Sequence, residues 1–227
     1  MNAPTLSVRM LLSSLCFASF GATGAAARPP EGGYFGFGLG YASASGDRGV
    51  PLKSDARLPG DLLEGTAAYK EEVRTDFGSG MSFELRFGWL IGPIAPEISI
   101  FGHGDFNFED GAGYPSLNIR FHPLMLIDSM ADAKVDGNIY IGAGYVIGGY
   151  QPSVDDDGKG WDGWALSFGF GGSYELSRRV HLGIDVKFAM PMYSSWKYDW
   201  DDDINFEPKS TPSTLVIAPS LQIQAFF

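Results

Sequence analysis

Pro219-Ser220-Leu221-Gln222-Ile223-Gln224-Ala225-Phe226-Phe227 closes the chain. Counted back from the terminus, Phe227, Ala225, Ile223, Leu221 and Pro219 share one face of an extended backbone, and Gln224, Gln222 and Ser220 share the other. A period of two is that of a strand, and a strand with one wholly apolar and one polar face is suited to lipid on one side and a narrow lumen on the other.

Working back from this stretch, alternating runs recur near 33–43, 79–91, 94–106, 115–127, 137–150, 162–175 and 180–192, with 211–227 as the eighth. Each is long enough for the roughly 9–11 residues that a tilted strand needs to cross a bilayer. The intervals after the odd runs are roughly 35, 8, 11 and 18 residues and those after the even runs roughly 2, 9 and 4, the long-and-short pattern of a membrane barrel with both termini at the short-turn end. The first long loop is expected either to hold a short helix over 61–73 or to extend the flanking strands.

Alternation alone does not say which face is outside. Residue size decides it. Met81, Phe83, Leu85, Phe87 and Trp89 oppose Ser82, Glu84, Arg86 and Gly88. Trp164, Leu166, Phe168 and Phe170 oppose Ala165, Ser167, Gly169 and Gly171, and Val180, Leu182, Ile184, Val186, Phe188 and Met190 oppose His181, Gly183, Asp185, Lys187 and Ala189. An eight-stranded barrel has an interior just wide enough for side chains to fill, so eight faces of large apolar residues must point outward, and an outward apolar face requires lipid. The glycine-rich face (Gly36, Gly38, Gly40, Gly142, Gly144) suits the lumen. Aromatics near the run ends, Tyr34, Phe35, Tyr41, Trp89, Tyr150, Trp161, Trp164, Tyr193, Trp196, Tyr198, Trp200, Phe226 and Phe227, are expected to form two girdles at headgroup level.

The start of the chain carries Arg9, an apolar run from Met10 to Phe20 and Ala25-Ala26-Ala27, the form of a secretory signal peptide cleaved after Ala27. The expected organisation is therefore a signal over 1–27 and one barrel domain over 28–227. Cys16 is the only cysteine and has Leu15 before it, so lipidation is disfavoured and the mature chain offers neither disulfides nor thiol catalysis. No later segment has 18 consecutive apolar residues, which excludes a helical membrane protein. With 27 acidic residues against 16 basic ones the formal charge is −11, and a nucleic-acid partner is disfavoured.

Over essentially its whole mature length the chain resembles the eight-stranded OmpX/OmpA/OmpW-type outer-membrane proteins. The residues that carry the likeness are the terminal alternation to Phe227, Gly33-Tyr34-Phe35-Gly36-Phe37-Gly38-Leu39-Gly40-Tyr41, and Gly80-Met81-Ser82-Phe83-Glu84-Leu85-Arg86-Phe87-Gly88-Trp89. The resemblance implies an all-β up-and-down transmembrane barrel in the outer membrane of a Gram-negative-type bacterium, with both termini periplasmic and no cofactor. It also implies outer-membrane lipid and lipopolysaccharide as surroundings, and the barrel-assembly machinery and periplasmic chaperones as partners. Leu221, Ile223 and Phe227 would be the terminal assembly signal, from which Ala225 departs by being small. An OmpW-like protein would pass small hydrophobic solutes sideways, and Pro191 and Pro219, on neighbouring strands, are the candidate lateral seam.

The polar face is expected to hold Glu84, Arg86, Glu97, Arg120, Glu175, Asp185 and Lys187 as a lumen charge network, with His103, Asn118, His122, Tyr140, Gln222 and Gln224 beside them. Buried charges persist only when paired and hydrogen-bonded. Asp155-Asp156-Asp157 and Asp199 to Asp203 are oxygen-rich loop runs; Asp155 and Asp157 are weak candidate metal ligands, lacking the spacing of a calcium loop. His103, His122 and His181 have no recognisable catalytic partner motif, so an enzyme is not expected. The readings left open are a structural or interaction protein with acidic, aromatic loops around a plugged lumen, a narrow channel or lateral-exit transporter, and a lipid-modifying enzyme.

Overall fold

The computed structural model describes residues 30–46, 79–106, 109–127, 130, 134–150, 159–197, 205–206 and 214–227. Among them the barrel strands are β1 (Gly32–Ser45), β2 (Gly80–Leu90), β3 (Ile94–Asp105), β4 (Asp110–Phe121), β5 (Val135–Tyr150), β6 (Lys159–Ser177), β7 (Val180–Lys197) and β8 (Leu215–Phe226). Each pairs antiparallel with its successor, and β8 returns to β1 with Phe35 opposite Ala225 and Leu39 opposite Leu221. The ring is closed, so no barrel strand presents an open edge. A two-residue strand, Asn205–Phe206, pairs with the end of β7.

Local chemistry sets the turns. Between β2 and β3 only Gly92 and Pro93 lie inside the hydrogen-bonded pair Ile91/Ile94, and Gly92 has φ of +55°, open to glycine at no steric cost. The fourth strand differs from the expected 115–127. It stops at Phe121, because Pro123 lacks an N–H and opens a 3-10 turn (Pro123–Leu126), with His122 N–H donating to Pro93 O at 2.8 Å. It also begins earlier, running through Pro115. The β4–β5 ladder passes from Gly113/Ile147 to Ser116/Gly144, skipping the proline and its neighbour. The β3–β4 connection therefore shrinks to 106–109 and the β4–β5 connection grows to 122–134, so the long-and-short alternation of connections fails at that pair. The expected signal over 1–27 and helix over 61–73 lie outside the described residues.

The outward face is apolar from strand to strand: Ile98 is 58% exposed, Leu117 68% and Ile141 67%. A belt of this extent around a closed barrel fits a hydrocarbon solvent rather than water. The girdle expectation needs correction. Phe35, Tyr41, Trp89, Trp164 and Phe227 point out, whereas Tyr34, Tyr150, Trp161, Tyr193 and Phe226 are buried inside. Strand parity puts them there: Tyr34 shares its face with Gly36 and Gly38, and Trp161 with Ala165. The side chain of Trp196, and Tyr198 and Trp200, lie outside the described residues.

Inside, packing falls into layers. Towards the end opposite the termini, Phe101, Tyr114, Tyr150, Trp161 and Tyr193 fill the barrel together with Val146 and Val216, while Ala42, Ala112, Ala165, Ala189 and Ala218 leave room for the rings. At the terminal end Tyr34, Leu90, Ala95 and Phe226 pack together. The glycines of β5 are needed for close approach. A Cβ on Gly144 would strike the Pro115 carbonyl and the Ser116 backbone, whereas one on Gly113 would meet nothing within 4 Å. Gly144→Ala is accordingly expected to lose about 1–3 kcal/mol by overpacking, read as a lower urea midpoint in lipid vesicles, with Gly113→Ala close to the parent chain.

A charged layer in the lumen as the candidate functional site

Between the two apolar layers lies a band of ionised and amide side chains, placed there by alternation. Positions 84 and 86 of β2, 97 of β3, 118 and 120 of β4, 138 and 140 of β5, 185 and 187 of β7, and 222 and 224 of β8 all turn inward, and all are buried. Small residues on the strands between make room. A Cβ on Gly36 would lie 3.2 Å from Arg86 Nε and one on Gly38 3.2 Å from the Gln222 side chain, so long polar side chains lie across bare backbone.

Arg120, fully buried, is the hub. Its Nε donates to Glu97 Oε2 at 3.1 Å and its Nη1 to Asp185 Oδ2 at 3.1 Å and to Asn138 Oδ1. The guanidinium carbon lies 4.3 Å from the centre of the Tyr140 ring. Arg86 Nη1 reaches the same Asp185 oxygen at 2.8 Å. Lys187 Nζ pairs with Glu84, whose other oxygen accepts from Gln222 Nε2 at 3.2 Å. Tyr34 Oη donates to Glu97 Oε2 at 2.7 Å, and Asn118 Nδ2 to Ser99 Oγ at 2.8 Å. Three cations (Arg86, Arg120, Lys187) meet three carboxylates (Glu84, Glu97, Asp185), so the layer is neutral as a whole. Each charge has a partner of opposite sign, the condition under which buried ions are tolerated.

Six of the seven residues expected in the lumen network therefore sit in this layer, as two ion-pair sets, Arg86–Asp185–Arg120–Glu97 and Lys187–Glu84, on either side of the Tyr140 ring. Glu175 sits lower, across the β6–β7 pair from His181. Tyr34, Asn138 and Ser99 belong to the layer and were not expected in it; Tyr34 could have been found by counting two back from Gly36.

The histidines have partners that no motif revealed, because those partners lie on the neighbouring strand in the ring. His103 Nε2 is 2.9 Å from Tyr114 Oη, and His122 Nδ1 is 2.6 Å from Asp136 Oδ2. His181 packs its ring on Phe226, with centroids 4.8 Å apart. These are a ring-stacked pair, a dyad at the terminal end and a ring in an apolar layer. Among the described residues no group of three His, Cys, Asp or Glu has the arrangement of a metal site; Asp155, Asp157 and the Asp199–Asp203 run lie outside them. Leu221, Ile223 and Phe227 face outward at 59%, 46% and 66% exposure.

The prolines divide. The β7–β8 ladder, where a seam between Pro191 and Pro219 would lie, runs unbroken from Val180/Ala225 to Ala189/Val216, and Pro191 pairs opposite Ala165 on β6. The break at Pro219 falls instead on the β1 side, where pairing passes from Gly40/Ser220 to Ser43/Ile217. There the missing N–H would have met Tyr41. β7–β8 pairing stops short of Pro191, and a second candidate interruption lies between β1 and β8. Pro115 makes the same kind of interruption between β4 and β5, on the opposite side of the ring.

The cavity within the charged layer, lined by Arg86, Asn138, Asp185, Gln222 and Gln224 among others, is about 10 Å³, room for about one water.

No protein-family model matches the chain, and no curated protein matches it significantly. Solved structures do. Neisserial surface protein A is 10% identical, with 90% of this chain and 100% of that one covered and a TM-score of 0.58. The outer membrane protein OprG from Pseudomonas aeruginosa is 15% identical, covering 87% and 97%, with a TM-score of 0.49. The attachment invasion locus protein Ail of Yersinia pestis is 14% identical, covering 87% and 100%, with a TM-score of 0.40. At such identities the first of these speaks for the fold, an eight-stranded membrane β-barrel.

Proposed function

We propose, from the premise that this chain is an eight-stranded β-barrel of the outer-membrane type, that it resides in the outer membrane of a Gram-negative-type bacterium with both termini periplasmic. There it acts as a structural or interaction protein whose filled lumen carries no solute. The observation that supports this reading is the stacking of three layers across the lumen: the aromatic cluster around Trp161 and Tyr193, the neutral ion-pair layer around Arg120, and the Tyr34–Phe226 cluster. A conducting path needs connected water, and the cavity of about 10 Å³ in the middle layer is far short of one. With the lumen occupied, contact with the surroundings falls to the outer loops, whose Asp155 to Asp157 and Asp199 to Asp203 runs are strongly acidic, the second interrupted by Trp200. Catalysis has no support in the placement of the histidines, and no cofactor is called for.

Refolded protein in a planar bilayer is expected to give no resolved single-channel steps. Steps whose conductance changes in Lys187→Gln, a residue lining only the interior, would overturn the plug. The break in the β1–β8 ladder at Pro219 favours a second reading, sideways passage of a small apolar solute, and Pro219→Val, restoring the missing donor, would then slow uptake of that solute.

A further inference from the structure

A cavity much larger than that of the charged layer lies outside the lumen. It is a groove of about 460 Å³ in the outward face at the extracellular end of β2 to β5, within the range of small-molecule sites. Its outward-facing row runs across four strands as Met81, Gly104, Gly111 and Gly149, each opposite the next in the sheet register. The floor is therefore backbone. Leu39, Met81 and Phe83 form one wall, and the Phe83 ring lies over Gly102, so the groove ends on a ring rather than running on down the barrel. Over much of the rest of the outward face Leu, Ile, Phe and Trp project, so the row of glycines here leaves a trench in the apolar belt.

The headgroup end of the trench is acidic. Glu109 lines it, Asp110 beside it is buried, and the Asp105 carboxylate accepts from Glu109 N–H at 2.9 Å and Asp110 N–H at 3.2 Å. No Lys or Arg occurs between Arg86 and Arg120, so β3 and its loop bring no positive charge to this rim. An apolar trench ending in carboxylates is complementary to an amphiphile with an unbranched alkyl chain and a cationic head. An anionic lipid of the same length would meet like charge.

We propose that this trench binds the alkyl chain of a cationic amphiphile entering from the surrounding leaflet, with its ammonium group against Glu109. The inference rests on the barrel being membrane-embedded. The glycine floor lets a chain pack against bare backbone, and a Cβ on Gly104 or Gly111 would also come within 3.0 or 2.9 Å of a carbonyl oxygen on the neighbouring strand. The ammonium-to-carboxylate contact is a charge-assisted bond, worth roughly tenfold in affinity.

The test titrates the isotope-labelled full barrel, in neutral micelles at pH 7, with dodecylamine and separately with dodecanoate, following backbone amide shifts. Dodecylamine is expected to give saturable shifts confined to Gly104, Gly111, Gly149 and Glu109, with dodecanoate weaker by about tenfold. Glu109→Lys should reverse that order, and Met81→Ala, which removes one exposed wall of the trench, should weaken both amphiphiles while the barrel stays folded. Equal responses to the two head groups, shifts spread over the whole apolar belt without saturation, or no change in either variant would overturn the inference. Should the parent chain show no heat-modifiable migration on gels, the membrane reading itself fails and takes this inference with it; intact migration with equal responses sinks the inference alone.

Discussion

Arg120→Met is expected to lower the unfolding free energy in lipid vesicles by about 3–5 kcal/mol, the cost of stripping one partner from a buried ion network. The size follows from what the substitution leaves behind. Glu97 loses its 3.1 Å partner and Asp185 keeps only Arg86, so a layer of three cations and three carboxylates becomes one of two and three. The cavity of about 10 Å³ beside the network has room for about one water, too little to solvate the excess carboxylate. Arg120→Lys keeps the charge but not the planar fork that spans Glu97 and Asp185 together, and should cost less than methionine while still falling short of the parent. Adding Glu97→Gln to Arg120→Met restores neutrality and should recover part of the loss, a non-additivity that identifies the network as the source. A methionine variant within about 1 kcal/mol of the parent would mean that the layer is wetter than its burial implies.

How much of this was legible in the residues depends on range. Parity is local, so the strands themselves and the inward placement of Glu84, Arg86, Glu97, Arg120, Asp185 and Lys187 could be read from alternate positions alone. Pairing is not local. That Arg86 meets Asp185 and Lys187 meets Glu84 depends on the register of strands about a hundred residues apart, which no motif encodes. The fourth strand was misplaced because two prolines in it act oppositely. Pro123 ends pairing, whereas Pro115 sits inside the sheet with its missing donor turned to one neighbour only. The aromatic lumen layer was missed for a different reason. Aromatics at the strand ends look like girdle residues from their position alone, whereas the alanines of neighbouring strands free the volume that Trp161, Tyr193 and Tyr150 occupy. The groove over Gly104 and Gly111 likewise needs two glycine pairs to coincide across strands before it exists.

The outward assignment that begins with Phe227 has its own decisive substitution, Ile141→Arg. Ile141 lies between Ile119 on β4 and Phe168 on β6, on the outward face. If that face is solvated by hydrocarbon at mid-depth, arginine there is expected to cost about 2–4 kcal/mol in vesicles, falling to about 0–1 near the interfaces. Leu176→Arg, at the end of β6 beside the Arg178–Arg179 turn and 58% exposed, supplies the shallow comparison. The gradient between the two positions carries more than either value, because a water-facing sheet surface accepts arginine at both positions within about 0.5 kcal/mol. Ile141→Ser separates lost apolar contact from introduced charge: it removes the same side chain and adds none, so its cost should stay well below that of arginine. A flat response across the three variants would place water, not lipid, against Ile141. It would then remove the reason for Leu221, Ile223 and Phe227 to be apolar at all, since among the described residues nothing else covers them.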